Sequence, residues 1–408
     1  MPLVRIGLIG KTNTGKTTFF NAATLQSGEM SNYPFTTKAP NIGSGQAATL
    51  CVHKELGLQN DDPKNSSCMD GWRMIPVEII DLPGLIKGAS EGRGLGNQFL
   101  AVASQSDVLL HIIDASGSID AEGKISSPGV GDPVADAADI EEELAMWYLR
   151  LFENNLDKVL RNLKSVPPSS FQDSVSEVMR GIGVRRDHVT EALRTKNLYG
   201  EDAGSWTERQ KMEFAYALRE ISKPTLIVAN KMDVPEATKN FSKIRETYHD
   251  MIVIPSSAES ELTLRRAEQS GVIRYSPGEE RFEIVKGAKL NEKQQWALNH
   301  ITKAILGEYL RTGVQFAINV AVFKLLRMNA VYPVSDPARF SDRSGNRLPD
   351  VYLMHEGSTV KDLAQSIHTA LAKGLLYAVD ARTGLRLPED YHLKDRDVLS
   401  IVSASRKA

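Results

Sequence analysis

The 408-residue chain reads as an α/β protein: a parallel-type sheet carrying a phosphate-binding loop, an α-helical insertion, and a small β-α-β lobe at the C-terminal end. Three observations predict this. Gly10-Lys11-Thr12-Asn13-Thr14-Gly15-Lys16-Thr17 is a complete G-x-x-x-x-G-K-[ST] loop lying between an apolar run and an apparent helix. Several further apolar runs of buried-strand type end in polar residues with ligand chemistry. More than a hundred residues, much of them with helical periodicity, separate two of those runs.

Val4 to Ile9 gives the first strand, and a helix is expected from about Lys16 through Phe19, Phe20 and Ala23. The loop therefore presents backbone N–H groups at a helix N-terminus, where they and the helix dipole attract a polyphosphate. Gly10, Asn13, Thr14, Gly15, Lys16, Thr17 and Thr18 are expected to line it. Lys16 would reach the β- and γ-phosphates, and the Thr17 hydroxyl would ligate Mg²⁺. Asn32-Tyr33-Pro34-Phe35-Thr36-Thr37 offers a second metal hydroxyl, with Thr37 favoured over Thr36.

Residues 43 to 74 are irregular in composition and suggest no role. Cys51, His53 and Cys68 supply three metal-ligand side chains, but no fourth has convincing spacing, so no metal is expected there. Val77 to Ile80 reads as a strand ending in Asp81-Leu82-Pro83-Gly84. There Asp81 could hold Mg²⁺ through water and the Gly84 N–H could meet the γ-phosphate. Asp107 to Asp114 is another strand, and Gly117 to Pro133 a loop.

From Asp139, residues Ile140, Leu144, Trp147, Leu151, Leu156, Leu160 and Leu163 recur near helical spacing, with acidic residues at the favourable N-terminal end. Pro167-Pro168 would stop this helix. Further helices are expected at 171–181, 186–196 and 207–221.

Pro224 to Ala229 is a buried-strand pattern leading into Asn230-Lys231-Met232-Asp233. Guanine presents N1–H and a 2-amino group on one edge, and the Asp233 carboxylate can accept both. Adenine would leave that carboxylate unpaired, a mismatch worth up to ~10⁴-fold. Asn230 would contact the base and tie this loop to the phosphate loop, with the Lys231 stem on the purine face. After Met251 to Ile254, the Ser256-Ser257-Ala258 loop would give a backbone N–H to the guanine carbonyl. These motifs stand in order at strand ends, where open α/β sheets bind ligands.

A helical stretch at 291–327 follows. Beyond it, Val351 to Met354, a turn at Glu356-Gly357, a Thr359/Asp362 capping box opening a helix through Leu371, Leu376 to Val379 and Val398 to Val402 make the β-α-β lobe. The expected division is 1–138 and 222–276 for nucleotide binding, 139–221 for the insertion, 277–327 for a connection and 328–408 for the lobe.

Composition decides less. With 49 basic and 51 acidic residues, the chain is not a globally basic nucleic-acid binder. It has no eighteen-residue apolar stretch and no leader pattern, and its two cysteines suit a reducing compartment. A cytoplasmic monomer with no membrane partner is expected.

The run from Asp81 through Gly84-Leu85-Ile86-Lys87-Gly88-Ala89-Ser90-Glu91-Gly92-Arg93-Gly94-Leu95-Gly96-Asn97-Gln98-Phe99-Leu100, with residues 32–37, resembles the Obg-related GTPases, and among them the YchF-type branch in its archaeal form. Leu348 to Val351, Gly357 to Ala364 and Asp390 to Val398 resemble a TGS domain of the β-grasp type. The resemblance implies GTP and GDP as ligands with Mg²⁺, hydrolysis of GTP, and ribosome or RNA contact through the TGS lobe. A docking or purely structural lobe is the other reading, and Arg339, Arg343 and Arg347 form only a small basic cluster. Leu85 stands where Ras-type enzymes carry the water-orienting glutamine, which implies slow unaided turnover. Asn13 either helps hold a potassium ion or braces the loop. Lys16, Thr37, Gly84 and Asn13 are thus the expected catalytic group. The competing functions are a nucleotide-gated ribosome- or RNA-binding module with negligible hydrolysis, and an ATP-preferring relative.

Overall fold

In chain order the strands of the first sheet are β1 (Arg5–Ile9), β2 (Asn41–Leu50), β3 (Ser67–Met69), β4 (Trp72–Asp81), β5 (Val108–Asp114), β6 (Thr225–Asn230) and β7 (Val253–Pro255) in a computed structural model. It describes residues 3–26, 40–84, 105–165 and 169–404. Residues 32–37, Leu85 with the glycine-rich run to Leu100, and Pro167-Pro168 lie outside these. Two compact units emerge, one of Arg5–Gly43 and Ile79–Ala317, the other of Met1–Val4, Ser44–Glu78 and Ile318–Ala408.

In the first unit β1 pairs in parallel with β5, β5 with β6, and β6 with β7. Every residue of β5 is buried, as expected for a strand covered on both faces. The register places Ile9 opposite His111 and Asp114 opposite Asn230, so the strands' C-terminal ends line up. The loops that follow them consequently share one edge. A helix at Lys16–Thr24 follows the phosphate loop, and a helix at Ala258–Gln269 follows β7. Arg265 of the latter donates to the Ala22 and Ala23 carbonyls at 2.6 and 2.9 Å, satisfying acceptors at the end of the former.

Among the described residues the insertion is four α-helices, Pro133–Leu163, Phe171–Val178, Arg186–Lys196 and Glu208–Ser222, with 3₁₀ turns at Arg180–Ile182 and Gly200–Ser205. Phe152, Phe171, Trp206 and Phe214 meet at its centre with ring centroids 5.1–6.2 Å apart. The first helix begins at Pro133, not Asp139. Asp132 accepts from the Val134 and Ala135 N–H groups, and Pro133 sits where no intrahelical donor is needed. The acidic run at 139–143 is therefore one turn and more inside the helix.

A short hairpin, β8 (Ile273–Arg274) with β9 (Glu283–Ile284), precedes the next helices. The expected helical stretch at 291–327 is broken. Glu292–His300 continues through a π-wound turn to Tyr309, and a second helix starts at Val314. Leu310 at φ 65° and Gly313 at φ 89° make the break.

In the second unit, β10 (Met328–Val334), β11 (Tyr352–His355), β12 (Leu375–Asp380), β13 (Arg386–Leu387) and β14 (Val398–Ser403) form a sheet in the order β11-β10-β14-β12-β13. β10 and β14 are parallel and their other neighbours antiparallel, the β-grasp arrangement. The helix Val360–Ile367 opens on the Thr359/Asp362 capping box and buries Val360, Leu363 and Ala364 against Val331, Leu399 and Ile401.

Residues 44–78 fall in this unit and not with Arg5–Gly43, although the expected division places all of 1–138 together. Lys64 pairs with Asp342 at 2.6 Å, and Glu55 with Arg382 and Arg396 at 2.9 and 2.6 Å. Arg73, fully buried, donates to the Leu348 carbonyl at 2.8 Å and lies over the Tyr332 ring. Sequence proximity misled here because these partners lie far away along the chain.

Candidate functional site

The phosphate loop bends as its glycines require. Gly10 and Gly15 have φ of 143° and 97°. A Cβ at Gly10 would strike the Ile112 carbonyl, and one at Gly15 the Asn230 amide nitrogen. Lys16 is buried, and its ammonium donates to the Gly10 and Lys11 carbonyls at 3.0 and 2.6 Å. Burial lowers its pKa to about 8 against the opposing pull of Asp81. Thr14 Oγ1 closes the loop on the Lys11 carbonyl at 3.1 Å.

Thr17 Oγ1 donates to Asp81 Oδ2 at 2.8 Å, and the Asn41 amide reaches the same oxygen at 3.3 Å. Asp81 Oδ1 is buried without a hydrogen-bond partner among the described residues. Burial raises the Asp81 pKa, with Lys16 and the Thr17 bond working against it. Gly84 lies so close to the phosphate loop that a Cβ there would collide with Thr12. Thr17, Asp81, Lys16 and Gly84 are thus brought together. Thr18 follows on the helix, while Thr37 lies outside the described residues.

Asn13 adopts φ 64° and donates from Nδ2 to the Gly123 carbonyl at 2.9 Å. The bracing contact therefore exists, to the 117–133 loop. Lys11 forms a buried pair with Asp136 at 2.6 Å and reaches Asp139 at 3.1 Å. Burial would lower its pKa, but the hydrogen bonds and charges of the two carboxylates leave it raised. The first turns of the insertion are in this way fastened to the phosphate loop.

Asn230 links three loops. Its Nδ2 donates to the Thr14 carbonyl at 3.0 Å, and its Oδ1 accepts from the Ala258 N–H at 3.0 Å. The tie to the phosphate loop is as expected, whereas the Ala258 N–H is given to Asn230. Ser256 and Ser257 donate their N–H groups to the Ala229 and Thr312 carbonyls, both at 2.8 Å. Ser257 Oγ donates to Asp233 Oδ1 at 2.6 Å and accepts from the Ser260 N–H, capping the helix Ala258–Gln269.

Sequence reasoning missed Asp114. Its buried carboxylate accepts from Lys231 Nζ at 2.9 Å and from the N–H and hydroxyl groups of Ser116 and Ser118. Lys231, at φ 64°, is held by this charge and by Ser118 Oγ at 3.1 Å. The available signal was Asp-x-Ser-x-Ser directly after a strand, a pattern in which an aspartate collects local N–H groups.

A parallel sheet with a phosphate loop after one strand, an Asp-x-x-Gly segment after another and Asn-Lys-x-Asp after a third defines a P-loop GTP-binding protein. Family models match accordingly. Residues 5–137 match a 50S ribosome-binding GTPase model, 228–336 the Obg-like GTPase YGR210-like, G4 motif-containing domain, and 345–403 the TGS domain. The chain is 43% identical to a GTP-binding protein of Methanocaldococcus jannaschii over 99% of its own length and 100% of that protein's. It is 30% identical to the ribosome-binding ATPase YchF of Bacillus subtilis, over 64% of this chain and 68% of that one. A crystal structure of a GTP-binding protein from Pyrococcus horikoshii OT3 superposes with a TM-score of 0.78 at 35% identity, covering 98% and 100% of the two chains. The chain belongs to the Obg-like, YchF-type GTPase family with a C-terminal TGS domain.

Proposed function

We propose that this protein is a slow molecular switch that hydrolyses GTP to GDP and phosphate, and that its nucleotide state governs contact with the ribosome or structured RNA in the cytoplasm. The observation that carries the hydrolytic reading is the Thr17–Asp81 pair at 2.8 Å beside Asp81 Oδ1, which has no hydrogen-bond partner among the described residues. A hydroxyl and a buried carboxylate with an open oxygen are hard donors, and they fit Mg²⁺. Thr17 would hold the ion directly and Asp81 through water, with Thr37 as the further candidate. An ion held there would supply charge neutralisation to the nucleotide's phosphates.

The remaining work falls to the chain. Lys16 would exchange its two loop carbonyls for phosphate oxygens, and the Gly84 N–H would meet the γ-phosphate as water attacks in line. Leu85 has no group to orient that water, which makes unaided turnover slow. Asn13 offers Oδ1 to a potassium ion while its Nδ2 stays on Gly123. At the base, Asp233 would accept both guanine donors, and the Ala258 N–H would leave Asn230 for the guanine carbonyl.

The Bacillus relative is named an ATPase, so base preference is the test that matters. Competition titration should show GDP preferred over ADP by at least ~100-fold. Asp233→Asn should erase most of that preference. Equal affinities in the parent would overturn the guanine reading. Phosphate release at equal ionic strength should be faster in potassium than in sodium, and Asn13→Ala should abolish the difference. Ribosome contact is supported by the TGS match and by the Bacillus relative's name.

A further inference from the structure

The segment between β2 and β4 has little regular structure, only a four-residue helix, Val52–Glu55, and the three residues of β3. Yet it is well tied. The Cys51 N–H donates to the Gly71 carbonyl at 2.8 Å, and Asp70 and Gly71, at φ 48° and 92°, turn β3 into β4. At its centre lie four side chains with metal-binding atoms. Cys51 precedes the short helix, His53 is within it, Asp61 is in the following loop and Cys68 is on β3.

Their liganding atoms all lie within 4.8 Å of one another, the one such group among the described residues. Cys51 Sγ is 3.1 Å from Asp61 Oδ2, Cys68 Sγ 3.6 Å from His53 Nδ1, and His53 Nδ1 3.6 Å from Asp61 Oδ2. Ligands bonded at ordinary zinc distances to one tetrahedral centre are roughly 3.3–3.8 Å apart, so the three contacts that chain Cys51 to Asp61, His53 and Cys68 are near their bound spacing and the other pairs need close by about an ångström at most. We propose that Cys51, His53, Asp61 and Cys68 bind one structural zinc ion.

Asp61 is the fourth ligand that spacing alone did not reveal, because seven residues separate it from His53, the end of the short helix and then a loop, and they follow no familiar ligand rhythm. Two sulfurs, one imidazole nitrogen and one carboxylate oxygen make a four-coordinate donor set that suits zinc better than magnesium or calcium. Four protein ligands close the shell, which is the structural pattern. Cys51 is fully buried and Cys68 half-buried, so the cluster is sheltered on one side and reachable on the other.

The surroundings also fit. Arg73 Nη2 pairs with Asp61 Oδ2 at 3.1 Å, while Nη1 and Nη2 donate to Ser66 Oγ and the Leu348 carbonyl. Such outer partners orient a ligating carboxylate. Charge closes as well. Two thiolates, a carboxylate and a neutral imidazole around Zn²⁺ sum to minus one, and Arg73 brings the cluster to zero. Binding releases the two thiol protons and leaves the buried charge unchanged.

The test uses the full-length chain. After dialysis against metal-free buffer, elemental analysis should find about one zinc per chain, and Cys51→Ser with Cys68→Ser should remove it. Zinc-free protein titrated with Co²⁺ should give the visible bands of a tetrahedral site and a near-ultraviolet sulfur-to-cobalt transition. Asp61→Asn should weaken that binding with the sulfur transition retained. Zinc content unchanged in the double variant, or a cobalt spectrum without sulfur ligation, would overturn the proposal. So would a Cys51–Cys68 disulfide in metal-free protein isolated under reducing conditions. The cobalt spectrum of the parent decides the matter even where the variants fail to fold. Guanine-nucleotide affinity should be unchanged in the double variant, which separates this test from that of the nucleotide site.

Discussion

At the residue scale, Lys16 and Asp114 show how differently two important charges announce themselves. Lys16 was legible because the phosphate loop fixes its identity and its place after Gly15. Asp114 was not, since its role depends on Lys231, which is 117 residues away and arrives beside it only when β5 and β6 pair. Lys16→Ala should abolish GTP hydrolysis and weaken GTP more than GDP, measured by single-turnover phosphate release and titration. The same side chain carries a pH signature. Its folded pKa is lowered to about 8 from 10.5, so between those values the unfolded chain holds the extra proton. Stability of the nucleotide-free protein should therefore rise with pH across that window. Lys16→Met should flatten the rise in urea midpoints, and an unchanged slope would mean that another group causes it.

At the element scale, the insertion's helices at 186–196 and around 207–222 were readable from periodicity, and the strand β10 was not. Its Met-Asn-Ala-Val-Tyr-Pro-Val sequence contains a proline and directly follows a helix. Pro333 is tolerated because β11 pairs only as far as Val331, leaving no ladder partner for the missing N–H on that side. The helix Arg186–Lys196 carries a further device. The Arg185 N–H donates to His188 Nδ1 at 3.3 Å, which requires that nitrogen unprotonated. Burial, then the Arg185 charge, lowers the His188 pKa to about 4 from 6.5, with Asp187 opposing and Lys223 adding to the fall. Between pH 6.5 and 4 the unfolded chain binds the proton that the folded histidine refuses, so stability is lost as pH falls through that window. His188→Gln keeps an acceptor at the same cap position. Melting temperatures should then drop less between pH 6.5 and 4 than in the parent. Equal drops would assign the acid sensitivity to carboxylates alone.

At the scale of the whole molecule, the order of motifs revealed the nucleotide-binding fold and the C-terminal pattern revealed the β-grasp lobe. The membership of residues 44–78 stayed hidden, because tertiary partners distant in sequence leave no periodicity to read. The difference changes how the lobe can be probed. Ending the chain at Leu326 would strip Leu348 and Tyr332 from buried Arg73, and breaking a buried charge's contacts costs about 3–5 kcal/mol. Such a chain should melt well below the parent, or precipitate, and an unchanged melt would contradict the shared core. Arg339, Arg343 and Arg347 are exposed, so Arg343→Glu is the cleaner probe of RNA contact. It should reduce ribosome co-sedimentation and its salt dependence while leaving GDP affinity intact. Equal co-sedimentation would direct attention to the insertion.

The tie between Arg73 and Leu348 spans 275 residues, and this sets a timetable for synthesis. A ribosome adding about 5–20 residues per second needs roughly 14–55 s to deliver the second after the first. Throughout that interval the nascent chain carries a guanidinium and strand edges whose cover has not yet been made. Maturation of this lobe is thus a post-translational event even though its residues 44–78 are among the first segments to leave the tunnel. A late premature stop or frameshift would release a chain whose nucleotide motifs are all present and whose early strands are bare, a natural substrate for chaperones and proteases.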